Sequence, residues 1–117
     1  MKYLVKEFIN EKYSKAVNIL KDNLKENYHV FYGVRLSEIL FPVSEYGTEQ
    51  FFSDFENINS ISLPVLVFDL KAGVPVIVIS LDDVSYCDVL NELDIDFMKC
   101  ESLAELLTSD KLENLFV

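Results

Sequence analysis

The sequence predicts an α/β (α+β) fold: a mixed central sheet of about four strands flanked by helices, in the order α-β-β-β-α-β-α. Three observations carry that expectation. Apolar residues recur at three- and four-residue steps through the first 25 positions. Two β-branched runs, 62–69 and 74–81, are joined by Leu70-Lys71-Ala72-Gly73. Within the second run, Val76-Ile77-Val78-Ile79 shows no alternation. The first pattern is that of an amphipathic helix. The second is that of an antiparallel hairpin. The third implies a strand buried on both faces, and so helices on both sides of the sheet.

The elements follow in order. Tyr3 to about Lys25 reads as one helix whose stripe is Val5, Phe8, Ile9, Tyr13, Ala16, Val17, Leu20 and Leu24. Lys2, Lys6, Lys12, Lys15, Lys21 and Lys25 lie mainly off that stripe, a solvated face with Glu partners at helical spacing. Tyr28 to Val34 is short, aromatic and β-branched, and reads as a strand. Leu36 to Leu40 reads as a helical turn ended by Phe41-Pro42. Thr48 is placed to cap a short helix in the polar segment 43–60. After the hairpin, Ser85 to Leu93 reads as a helix with Val89, Leu90 and Leu93 on one face. Ile95 to Lys99 reads as a short strand, and Ser102 to Leu107 with Asp110 to Phe116 as a helical tail. With three glycines, three prolines and no repeat, the 117 residues read as one domain: helix 1–26, core 28–99 and tail 102–117.

Composition narrows the function. A protein of this mass exposes roughly 6,500 Å² when folded, which suits one core. Ten basic against twenty acidic residues give a net charge of −10, unevenly spread. Residues 1–35 hold seven basic and four acidic residues (+3), and residues 36–117 three and sixteen (−13). Such a surface repels phosphate backbones and disfavours direct nucleic-acid binding. No apolar run approaches the roughly 18–20 residues needed to cross a bilayer, and Met1 to Glu7 lacks a signal peptide's apolar stretch. Cys87 and Cys100 are too few for a disulfide scaffold and read as reduced thiols of a cytoplasmic protein. His29, the one histidine, has neither a C-x-x-C nor an H-x-x-x-H beside it and reads as a core or edge residue. A phosphate loop, a nucleophile elbow and a dinucleotide fingerprint are all missing, so no cofactor is expected.

Four stretches add a resemblance. They are Val30-Phe31-Tyr32-Gly33-Val34-Arg35-Leu36-Ser37-Glu38-Ile39-Leu40, Ser62-Leu63-Pro64-Val65-Leu66-Val67-Phe68-Asp69, Val76-Ile77-Val78-Ile79-Ser80-Leu81-Asp82-Asp83, and Leu90 to Lys99. They are similar, in order, to "V-x-L-S-x-L-L", "S-V-D-F-V-V-x-D", "V-x-V-I-E-L-D-D" and "L-x-x-A-G-I-P-L-L-R". These patterns belong to a bacterial family, domain of unknown function 2726, of the PD-(D/E)XK nuclease superfamily. The match spans residues 28–107 and implies a restriction-endonuclease-like core. That superfamily hydrolyses phosphodiesters with two acidic side chains on the hairpin strands, which hold a divalent cation. Here the first acidic position falls on Pro64 and the second on Ser80, and the histidine often found after the Asp pair falls on Tyr86. Asp82, Asp83 and Lys99 persist. On a strand, Asp82 and Asp83 would face opposite ways, so only one reaches the site, with Lys99 placed to pair with it. The resemblance thus implies a degenerate site at Pro64, Ser80, Asp82, Asp83, Tyr86 and Lys99, with neither catalytic residue nor metal.

Tyr46, Phe51, Phe52 and Phe55 interleave with Glu45, Glu49, Asp54 and Glu56. Aromatic anchors with an acidic rim suit packing over the sheet or a protein-binding patch better than base stacking. The favoured reading is a catalytically inactive nuclease-fold domain acting through a protein partner, in a regulatory or inhibitory role. An acidic mimic of nucleic acid is its sharper form. The alternatives are an active nuclease with migrated ligands, Glu38 or Glu56 joining Asp82, and a homo-oligomeric structural subunit.

Overall fold

The computed structural model describes residues 2–117. Strands β1 (Tyr28–Arg35), β2 (Ser62–Asp69), β3 (Val74–Ser80) and β4 (Asp96–Lys99) form one sheet in the order β1-β2-β3-β4. The first two pairings are antiparallel and the third is parallel, as the expected mixed sheet requires. The β2–β3 hairpin turns where its sequence places it. Gly73 takes φ 71, which a residue without Cβ adopts without strain. Asp69 Oδ1 accepts from the Lys71 and Ala72 N–H groups and from Asn27 Nδ2. Those donors, the Ala72 amide first, hold the Asp69 carboxyl below its usual range.

Helices cover both faces, as the unbroken run at 76–79 implies. On one side α1 (Glu11–Asn23), α4 (Glu105–Thr108) and α5 (Asp110–Glu113) bury Tyr13, Ala16, Leu20, Leu106 and Leu112 against Val65, Val67, Ile77 and Ile79. On the other side a single 3₁₀ turn (Leu36–Glu38), α2 (Glu49–Asn59) and α3 (Cys87–Glu92) close over Leu63, Leu66 and Val78. Thr48 caps α2 as expected, its hydroxyl accepting from the Phe51 N–H at 3.1 Å. The chain's last residues tie back to α1, with Lys25 N–H donating to Leu115 O and Val117 N–H to Asn23 O.

One expected element is too long. The first helix does not run from Tyr3; it starts at Glu11, after Asn10 takes an extended conformation and its side chain accepts from the Tyr13 N–H at 3.0 Å. Such a cap satisfies an orphan amide and ends the helix there. The non-helical residues before that cap still reach the sheet as far back as Phe8, and Ile9 packs against the α1-side core. Tyr3, Leu4 and Val5 are exposed, while Phe8 lies edge-on to Tyr32, 5.3 Å between ring centres. The helix expected over 85–93 is trimmed to α3 (Cys87–Glu92), and Leu93, expected on its apolar face, is exposed.

The sheet opens near one end. Residues two apart in a strand ordinarily share a face, yet Tyr32 and Val65 join the α1 side while Val34 and Leu63 join the other. Gly33, at φ 72 between Tyr32 and Val34, makes the switch on β1. Pro64 stands between Val65 and Leu63 on β2, without an N–H for either neighbouring strand. Pairing of β2 with β3 begins only at Val65↔Ile79. Beyond that point the strands part.

Candidate functional site

The parting strands leave an open cleft of about 450 Å³ at the C-terminal end of β3. Ligands in α/β proteins commonly bind outside such strand ends. Pro64 and Ser62 line the β2 side, Tyr32 and Gly33 the β1 side, and Ser80, Asp82, Asp83, Ser85 and Tyr86 the β3 exit. Five of the six degenerate-site positions therefore come together. Lys99, opposite Ser80 in the parallel pairing, stands just outside.

Tyr13 of α1, which the sequence presents only as one more stripe residue, organises this end. Its hydroxyl donates to Asp82 Oδ2 at 2.8 Å and accepts from the buried Leu81 N–H at 3.0 Å. The Ser80 hydroxyl donates to the Asp82 carbonyl and accepts from the Asp82 N–H at 2.6 and 3.0 Å. The two hydroxyl oxygens lie 3.4 Å apart with both protons already used. Burial pushes the Tyr13 hydroxyl's pKa up, and Asp82 adds to it against the opposing pull of Ser80 and the Leu81 amide. One sign could have found this residue: Tyr13 brings a hydroxyl to a buried stripe completed by Ala16, Leu20 and Leu24.

Asp82 and Asp83 depart from the strand-based expectation. β3 ends at Ser80, so alternation no longer applies and both border the cleft. Asp82 turns to Tyr13. Asp83 pairs with Lys99 Nζ at 2.8 Å, and Glu101 approaches the same ammonium at 3.3 Å. That partner keeps the exposed Asp83 carboxyl below its ordinary range, and Lys99 stays charged to higher pH than usual. Tyr86 precedes α3. Its hydroxyl is buried without a partner, and burial pushes its pKa up to about 12.

This donor set does not fit a hard divalent cation. Pro64 offers no side-chain oxygen, the Ser80 oxygen is engaged twice, and Asp83 is committed to Lys99. Among the described residues no group of three or more His, Cys, Asp or Glu converges as a metal site would need. Glu38 lines a separate groove with Phe31, Val34 and Phe68, and Glu56 lies on α2; neither lines the cleft beside Asp82.

The aromatic segment forms a second, different surface. Phe51 is buried at its centre, with Phe41, Tyr46 and Phe52 rings at 5.3, 4.9 and 5.5 Å and Phe55 stacked at 6.4 Å. Phe51 thus supports the patch from within and does not face a partner. Phe41, Tyr46 and Phe52 are exposed together with Val43. Asp54 is tied internally to Ser44 and Gln50, so the rim charge comes from Glu45, Glu49 and Glu56, all exposed. His29 is exposed on β1, its ring 4.6 Å from Phe31. Cys100 is buried, which pushes its thiol up to about 11, and Cys87 is half-buried. No helix among the described residues is long and apolar enough to cross a membrane.

Compared with family models, curated proteins and solved structures, the chain matches no family model, and no curated protein or solved structure matches it.

Proposed function

We propose that this chain is a catalytically silent nuclease-fold domain that acts by binding another protein, in a regulatory or inhibitory role, through the aromatic patch of residues 41–55. The observation that carries the reading is the exposure of Phe41, Val43, Tyr46 and Phe52 around a buried Phe51, inside a rim of Glu45, Glu49 and Glu56. Exposed apolar side chains gathered into one patch mark interfaces, and aromatic anchors dominate their energetics. The rim selects a partner with apolar pockets bordered by Lys or Arg.

Two features support the silent-nuclease part. Tyr13 and Ser80 occupy the strand end where the resemblance places a cation, and their hydrogen bonds are taken up by Leu81 and Asp82. Asp94, which stands where the family pattern has Gly, takes φ 56 after α3, a left-handed position that suits glycine. The test pairs affinity capture with plasmid nicking in Mg²⁺ and Mn²⁺. Tyr46→Ser and Phe52→Ser are expected to lose the captured partner, while Asp82→Asn keeps it. Metal-dependent cleavage abolished by Asp82→Asn would overturn the reading.

A further inference from the structure

The molecule exposes more surface than its mass requires. Its accessible area is 8053 Å², where a compact monomer of this size exposes roughly 6,500 Å². Its radius of gyration is 15.7 Å, against about 13.4 Å for a compact chain of this length. The excess of roughly 1,500 Å² is on the scale of the total area a standard protein–protein interface buries.

Two segments contribute prominently to this excess, and their chemistries are opposite in charge and alike in apolarity. The first is the extended arm before α1. Tyr3, Leu4 and Val5 are 82%, 97% and 102% exposed, between Lys2 and Lys6 and followed by a single acid, Glu7. Phe8 roots this arm against Tyr32, and its ring comes within 3.4 Å of where a side chain on Gly33 would stand. The second segment is the aromatic patch, with Phe41, Val43 and Tyr46 at 70%, 106% and 75% exposure inside its acidic rim.

We propose that the arm of one copy, residues 2–7, docks on the aromatic patch of a second copy. Tyr3, Leu4 and Val5 meet Phe41, Val43, Tyr46 and Phe52, while Lys2 and Lys6 meet Glu45, Glu49 and Glu56. The chain carries both halves of one contact. The inference rests on the reading of the patch as a protein-binding surface and names a second copy as its occupant.

Sedimentation across a dilution series tests it with the full chain. The wild type is expected to self-associate with rising concentration, and less strongly at high salt. Leu4→Asp with Val5→Asp, and separately Tyr46→Ser with Phe52→Ser, should each be monomeric. These positions are exposed, so folding is retained and is checked by circular dichroism. Mixing the two variants restores one intact arm and one intact patch, and a 1:1 complex should form. Lys2→Glu with Lys6→Glu should weaken self-association roughly tenfold.

A wild type that stays monomeric at every concentration overturns the proposal, including when the arm is found against its own patch. Association untouched by the arm variant overturns it as well. If that monomer's patch variants still lose a captured partner, the protein-binding reading stands without self-docking. Patch variants that change neither association nor capture overturn both.

Discussion

The cleft at the end of β3 and the patch on α2 are finished to different degrees. In the cleft, Tyr13, Ser80, Asp82 and the Leu81 amide satisfy one another, and Asp83 is held by Lys99. On the patch, Phe51 is enclosed while Phe41, Tyr46 and Phe52 are left in water. Apart from the unpartnered Tyr86 hydroxyl, the polar groups of the cleft are engaged with one another, and the apolar side chains left outside on the patch still have burial to gain. The contrast is the ground on which we propose the patch, and not the cleft, as the binding surface.

The largest effect that would sharpen the contrast lies within the patch. Phe51→Ala should destabilise the fold by about 3–5 kcal/mol, because it leaves a cavity under four aromatic rings. Phe52→Ser, one residue on and exposed, should change stability by within about 0.5 kcal/mol while losing the partner. Chemical denaturation of both variants checks this. Equal losses would mean that the patch is core and not interface.

In the cleft, Tyr13→Phe keeps the ring and removes the hydroxyl, stranding the Leu81 amide. We expect a loss of about 1–3 kcal/mol in urea melts. An unchanged midpoint would break the picture of a self-satisfied cleft.

A smaller effect is read at alkaline pH. Burial raises the Tyr86 pKa from 10.0 to about 12, so the folded state holds that proton more tightly than the unfolded chain. Its contribution is fully present below pH 10 and is lost as pH rises from there through about 12. Tyr86→Phe should therefore flatten the alkaline decline. At neutral pH it should leave stability equal or slightly higher, since it removes an unpartnered buried hydroxyl.

Local signals in the sequence account for much of the fold and less of the site. The hairpin, the Thr48 cap and the doubly buried β3 follow from β-branched runs, a capping hydroxyl and missing alternation. The helix start is not legible because periodicity continues back through Phe8 and Val5, while Asn10 caps the helix and leaves Phe8 and Ile9 to pack as non-helical chain. Tyr13's role spans 67 to 69 residues of sequence to Ser80 and Asp82, a distance no local pattern encodes. Phe51 and Phe52 were separable in principle. Phe51, Phe55 and Ile58 follow helical spacing, with Phe52 off that face, but the boundaries of α2 had to be known first.

Five of the six positions that the resemblance singles out line one cleft, and that cleft has little chemistry to spare. The measurement that tests the central claim most directly is quantitative capture of the protein partner by the Phe52→Ser and Asp82→Asn variants side by side. Loss with Phe52→Ser and wild-type capture with Asp82→Asn is the predicted result. Capture that survives Phe52→Ser and fails with Asp82→Asn would contradict it, and would return function to the cleft.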